Sequence, residues 1–166
     1  MAARSWRAEP DADPAYQAIV AAPGFCLGVR CSASAIERIA FLPAQPACAP
    51  ANPLAAAVCE QLRAYLADPE YRFDLPLQTA GTPFQRLVWQ EIAAIPVHQT
   101  KSYGQIARAV HSAARAVGQA CGANPYPVVV PCHRVLAAQG GLGGFARQSG
   151  GFLLEVKRWL LAHEAG

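Results

Sequence analysis

The stretch Asn124-Pro-Tyr-Pro-Val-Val-Val-Pro-Cys-His-Arg-Val135 decides how this chain is read. Its apolar triplet, Val128 to Val130, reads as a short buried strand that ends at Pro131. A thiol and an imidazole follow at once, Cys132 and His133. A nucleophilic cysteine needs thiolate character, supplied by a neighbouring base, a cation or a helix N-terminus. Successive residues of a strand point to opposite faces, so contact between Cys132 and His133 requires a turn here, or a water between them. On Cys and His alone, a buried structural cysteine followed by a surface His and Arg is the favoured reading.

Immediately upstream the periodicity is helical. Thr82, followed by Pro83 and with Gln85 three residues on, is a capping-box start with proline at the first helical position. The helix it opens, Phe84 to Ile95, ends before Pro96. Ser102 can cap a second helix, Tyr103 to Val110, and Ala113 to Gly122 reads as a third, closed by its glycine. Two short helices around a tight turn are a helix-turn-helix candidate, although such pairs also occur as plain packing units. Downstream, Phe152 to His163 is an amphipathic helix. Farther upstream, Gly24 to Cys31 and Ala35 to Leu42 alternate like two strands. A Pro- and Ala-rich loop (42–57) follows, then a helix from Leu54 to Leu66 that stops at Asp68-Pro69. Phe73 to Leu77 reads as one more strand, with Pro76 favouring an edge. The fold class is α+β. Residues 1–80 form a small α/β unit without catalytic residues, and residues 81–166 form a mainly helical unit that carries them.

At 53% apolar and 15% charged residues the chain buries a core and is not a disordered tail. Its net charge of +3 is unevenly placed. Residues 1–80 hold six Lys/Arg against eight Asp/Glu, whereas residues 81–166 hold eight against three. A basic half beside an acidic half fits a polyanionic partner, and chance asymmetry fits as well. Met1 to Pro10 contains no apolar signal region, and no run is long enough to cross a bilayer, so a cytoplasmic protein without membrane association is expected. Six cysteines without a secretory signal are expected as thiols rather than disulfides, and no spacing suggests a metal site.

Pro131-Cys-His-Arg-Val135, preceded by Asn124-Pro125 and an apolar triplet, resembles the active-site signature of the O6-alkylguanine-DNA alkyltransferases. The resemblance extends over most of residues 82–166, including Ser102-Tyr-Gly-Gln-Ile-Ala107, Ala113-Ala-Arg-Ala-Val-Gly118 and Trp159-Leu-Leu-Ala-His-Glu164. It implies a small ribonuclease H-like N-terminal domain before a C-terminal helix-turn-helix domain. It also implies direct, single-use transfer of the alkyl group from O6-alkylguanine, and from O4-alkylthymine, to Cys132 after base flipping. By the same resemblance His133 takes the thiol proton through a water, Glu164 orients His133, and Asn124 braces the turn that carries the cysteine. Tyr103, Val135, Phe145 and Lys157 match substrate-pocket positions. Ser102, Gln105, Ala114 and Arg115 match the DNA-binding surface. Arg115 corresponds to the finger that fills the place of the extruded base, and the small Ala113, Ala114 and Ala116 suit close approach to a minor groove. The implied partner is double-stranded DNA bearing O6-alkylguanine, bound by a monomer, with no cofactor and no metal.

Two departures accompany the resemblance. The connection from Phe145 to Lys157 is longer than the family's, and the segment from Tyr103 to Arg115 is shorter. Three other functions stay open on the residues. A lesion sensor would flip the base without repairing it, but such proteins lack the acceptor cysteine. A thiol hydrolase would use Cys132 and His133 with repeated turnover. A helix-turn-helix regulator would bind one DNA sequence. No second thiol is expected to be placed to resolve Cys132, since Cys121 falls on the third helix, the candidate recognition helix.

Overall fold

The computed structural model of the protein describes residues 16–142 and 151–165. Phe145 and the first part of the long connection therefore lie outside the described residues.

Three antiparallel strands, β1 (Ala18–Ala22), β2 (Phe25–Cys31) and β3 (Ile36–Pro43), form a sheet with β2 in the middle. β2 is buried along nearly its whole length, because both edges are paired and both faces are covered. Leu27 sits between Val20 and Phe41, and Val29 between Ala18 and Ile39. These cross-strand sets of branched and aromatic side chains are the unit of sheet stabilisation. Helix α1 (Pro53–Ala67) packs on this sheet through Ala55, Val58, Cys59 and Leu62. Asn52 starts it by accepting the Ala55 amide at 2.8 Å.

The helical part follows the sequence closely. Helix α2 (Pro83–Ala93) carries the expected capping box between Thr82 and Gln85. It buries Val88, Trp89 and Ile92 but leaves Leu87 exposed. Gly81, at φ +80°, sits where a Cβ would collide with the Trp89 ring. Helices α3 (Tyr103–Ala109) and α4 (Ala114–Gly122) are joined by four residues, and the Trp89 indole donates to the Ala120 carbonyl at 2.8 Å, which ties α4 to α2. Two two-residue strands, β4 (Lys101–Ser102) and β5 (Val135–Leu136), pair in parallel. They hold the start of α3 beside the residues that follow Cys132. Helix α5 (Phe152–Glu164) then packs back toward the sheet, with Trp159 edge-on to Phe25 at 5.5 Å.

Three expectations are corrected, and the strand β1 adds an element that the sequence pattern does not mark. Phe73 to Leu77 is not a strand: only Leu77 bridges Ile36, in parallel, because Pro76 lacks a donor and offers only its carbonyl. Val128 to Val130 is not a strand either. Prolines at 125, 127 and 131 remove ladder donors, Val128 adopts φ +75°, and the Val130 amide turns back to the Tyr126 carbonyl at 2.8 Å. Gly122 is the last residue of α4 rather than a left-handed cap; the cap is Ala123, in the right-handed region.

Candidate active site

The turn that carries Cys132 is built from Asn124. Its carboxamide oxygen accepts the Tyr126 amide at 2.9 Å, a local turn that Asn favours. Its nitrogen donates to the Val130 carbonyl at 2.9 Å and to Cys132 Sγ at 3.2 Å. One side chain thus closes the loop and touches the thiol. Pro131, at φ −81° and ψ 65°, forms an inverse γ-turn with the Cys132 amide donating to the Val130 carbonyl at 2.8 Å. Residues Cys132–Arg134 then make one turn of 3-10 helix. This is the turn that contact between thiol and imidazole required. Val128, a β-branched residue with positive φ, stores backbone strain within the same loop.

His133 is fully buried. Its Nε2 meets Glu164 Oε1 at 2.6 Å, and its Nδ1 is buried without a hydrogen-bond partner among the described residues. The carboxylate fixes the tautomer: Nε2 carries the proton and donates, so Nδ1 is left as the basic nitrogen. Glu164 accepts more than this. Arg134 Nε donates to both its oxygens at 2.9 Å, and Arg134 Nη2 to Oε1 at 2.8 Å. The remaining Arg134 arm donates to the Ile95 carbonyl at 2.7 Å. From α1, the Tyr65 hydroxyl donates to Oε1 at 3.2 Å. His98 meets the Glu164 backbone carbonyl through Nδ1 and Glu70 through Nε2. Arg134 and Tyr65 were not among the expected site residues. Arg134 stands in the quoted motif, but its partner lies 30 positions on; Tyr65 carries no local signal at all.

The electrostatics follow from burial and pairing. Burial alone would raise the Glu164 carboxyl, but the hydrogen bonds and charges of His133 and Arg134 overcome it and hold the carboxyl at about 2. Burial lowers His133, against the pull of Glu164, so the imidazole rests neutral and able to accept a proton. The Cys132 thiol is pushed well above its ordinary value, first by the neighbouring Cys121 thiol and then by burial; the Asn124 amide and the Lys157 charge pull the other way. Cys132 therefore rests as a thiol whose proton must be taken by a base. The closeness of that thiol also corrects an expectation. Cys121, in the last turn of α4, borders the same cavity as Cys132, because α4 ends over the turn that carries Cys132.

Cys132 and Asn124 border a cavity of about 420 Å³, walled by Cys121 to Ala123 on one side and by Arg38 to Phe41 of β3 on the other. Lys157 is buried, donates to the Val135 carbonyl at 2.9 Å and to the Leu142 carbonyl at 2.7 Å, and lies 5.8 Å over the Tyr103 ring. Burial lowers its ammonium to about 8. Burial and the two nearby thiols raise the Tyr103 hydroxyl, so it stays a proton donor. Tyr103, Val135 and Lys157 are thus brought together beside Cys132. Ser102 and Gln105 engage each other in a capping box, with amide-to-side-chain distances of 3.1 and 2.8 Å. Ala114 and Arg115 are exposed at the first two positions of α4.

Residues 83–166 match the family described as 6-O-methylguanine DNA methyltransferase, DNA binding domain. The methylated-DNA–protein-cysteine methyltransferase of Mycolicibacterium paratuberculosis is 48% identical over 116 residues, which are 68% of this chain and 67% of the relative. That of Salmonella typhimurium is 53% identical over 92 residues, 54% of this chain and 51% of the relative. The crystal structure of Mycobacterium tuberculosis OGT in complex with DNA superposes with a TM-score of 0.75 at 34% identity, covering 89% of this chain and 91% of that one. No helix among the described residues is long and apolar enough to cross a membrane.

Proposed function

This chain belongs to the 6-O-methylguanine DNA methyltransferase family, binds DNA and repairs alkylated DNA by transfer to a cysteine, and from that premise we propose that Cys132 is the acceptor. One observation carries the assignment. His133 is clamped through Nε2 by Glu164, while its buried Nδ1, one residue from the thiol, has no other partner among the described residues. The Cys132 proton passes through a water to Nδ1, and Glu164 stabilises the imidazolium that forms. The sulfur then attacks the alkyl carbon in line. A sulfur–carbon bond forms as the carbon–O6 bond breaks, and the released electron pair goes to O6 and the ring, which regains its proton on nitrogen. Guanine and a thioether are the products. The balance closes without a cofactor. Cys121 does not reverse it, because a thioether is not exchanged by a thiol as a disulfide is.

The surrounding residues take supporting roles in the same reading. Asn124 holds the turn, and Lys157 and Val135 shape the pocket, where the Val135 carbonyl keeps a second lone pair for the guanine amino group. Phe145, outside the described residues, matches a pocket-wall position by family resemblance alone. Tyr103 crowds the target nucleotide, and the cap made by Ser102 and Gln105 sets where Tyr103 begins α3. Arg115 fills the gap left by the flipped base, while Ala114 lets α4 approach the minor groove. The chain acts as a monomer on duplex DNA bearing O6-alkylguanine, with O4-alkylthymine as a second substrate. It comprises a ribonuclease H-like support (1–80) and a helix-turn-helix unit (81–166), a division supported by a family match that starts at residue 83. Incubation with a duplex containing O6-methylguanine, followed by peptide mass spectrometry, should add one methyl group to the Cys132 peptide, once per molecule. Repeated turnover, or a methyl group on Cys121 alone, overturns the assignment.

A further inference from the structure

We infer that Tyr65, on α1 and 99 positions from Glu164, is a positioning residue of the proton relay: its hydroxyl donates to the carboxylate that holds His133 and so sets how strongly His133 binds a proton. The inference rests on the relay reading proposed above. The contact is buried on every side. Tyr65 is 1% exposed and Glu164 3%. Tyr65 is itself held in place, because His163 hydrogen-bonds its backbone carbonyl at 2.7 Å and the His163 ring lies edge-on to the phenol at 5.3 Å.

The direction of the effect follows from the dipole. Oε1 receives His133, Arg134 and the Tyr65 hydroxyl together. A phenol proton aimed at the carboxylate takes up part of its charge and lies on the side from which the imidazolium would be attracted. It therefore weakens the pull of Glu164 on a proton at His133 and favours the neutral base that the reaction needs. The phenol stays protonated throughout, since burial and the adjacent Glu164 charge raise it. The other charged or titratable groups around His133, Glu164 and Tyr65 are Arg134 from the turn that carries Cys132, Lys157 and His163 from α5, and His98 with Glu70 on the Glu164 backbone side. None of them is hydrogen-bonded to the Tyr65 hydroxyl among the described residues.

The test is the pH dependence of the single-turnover rate constant on an O6-methylguanine duplex, measured with folded protein in saturating excess over the duplex. It is measured for wild type, Tyr65→Phe, Glu164→Gln and Val58→Ala, the last a core change on α1 with no polar partner. Tyr65→Phe should move the acid limb upward by about half a pH unit and slow transfer about threefold on that limb, with DNA affinity unchanged. Val58→Ala should leave the limb in place. An unmoved limb in Tyr65→Phe, with Glu164→Gln slow, overturns the role of Tyr65 and leaves the relay standing. A shift shared by Val58→Ala makes the effect one of packing and overturns it too. A wild-type rate in Glu164→Gln removes the relay itself, and the inference with it.

Discussion

Around Glu164 one largely buried carboxylate serves an imidazole, a guanidinium and a phenol. Such a cluster makes stability depend on pH in a direction that can be worked out. Glu164 is held at about 2 in the folded chain, below its ordinary 4.5. Its stabilisation is therefore complete above 4.5 and is lost as pH falls through that window toward 2. His133, lowered by burial, adds nothing above its ordinary 6.5 and an increasing penalty below it. Both act the same way, so the unfolding free energy from denaturant titrations should decline from about pH 6.5 downward, by on the order of 2–3 kcal/mol for the carboxylate part. Glu164→Gln should flatten the steeper portion below pH 4.5; an unchanged acid profile in that variant contradicts the assignment. At this scale the sequence was legible for Cys132, His133, Asn124 and Glu164, because the acceptor motif and the Trp159–Glu164 segment are local strings. It was silent on Tyr65, whose meaning depends on a contact between α1 and α5, and it marked Arg134 only as a neighbour of the thiol.

The elements differ in how openly the sequence announces them. α2 and α3 begin at capping boxes written out in four consecutive residues, so their starts are readable to the residue. The pair β4 and β5 is not readable, since two residues carry no periodicity and their pairing joins positions 34 apart. The false strand at Val128 to Val130 shows the converse: a β-branched run has strand character, but its prolines and the left-handed Val128 decide otherwise. Because β4 runs directly into α3, the Ser102 cap fixes where Tyr103 stands. Ser102→Ala should cost about 1 kcal/mol of folding stability. It should also lower the transfer rate on duplex DNA more than the reaction with free O6-benzylguanine. Equal losses on both substrates would mean that the cap serves stability alone.

At the scale of the whole molecule, Arg115 at the exposed start of α4 is the basic residue proposed to meet the DNA. Arg115→Ala should reduce transfer from duplex DNA about tenfold or more, consistent with the few kcal/mol that base extrusion requires, and leave inactivation by O6-benzylguanine unaltered. Equal slowing on both substrates would place Arg115 in the pocket rather than on the DNA. Affinity for undamaged duplex should fall steeply as salt rises, as counterion release requires. Helix α5 has a wider consequence. It supplies Glu164 to His133, Lys157 to Val135, His163 to Tyr65 and Trp159 to Phe25, so its docking joins the acceptor turn to the sheet and to α1. Contacts of such sequence separation are closed late in folding, after local turns and helices have formed. A chain in which α5 is not yet docked thus holds Cys132 and His133 without the carboxylate that orients the imidazole. Full reactivity of the proposed relay then waits on the docking of α5, so a molecule with a single use, as proposed here, is held back while still incomplete.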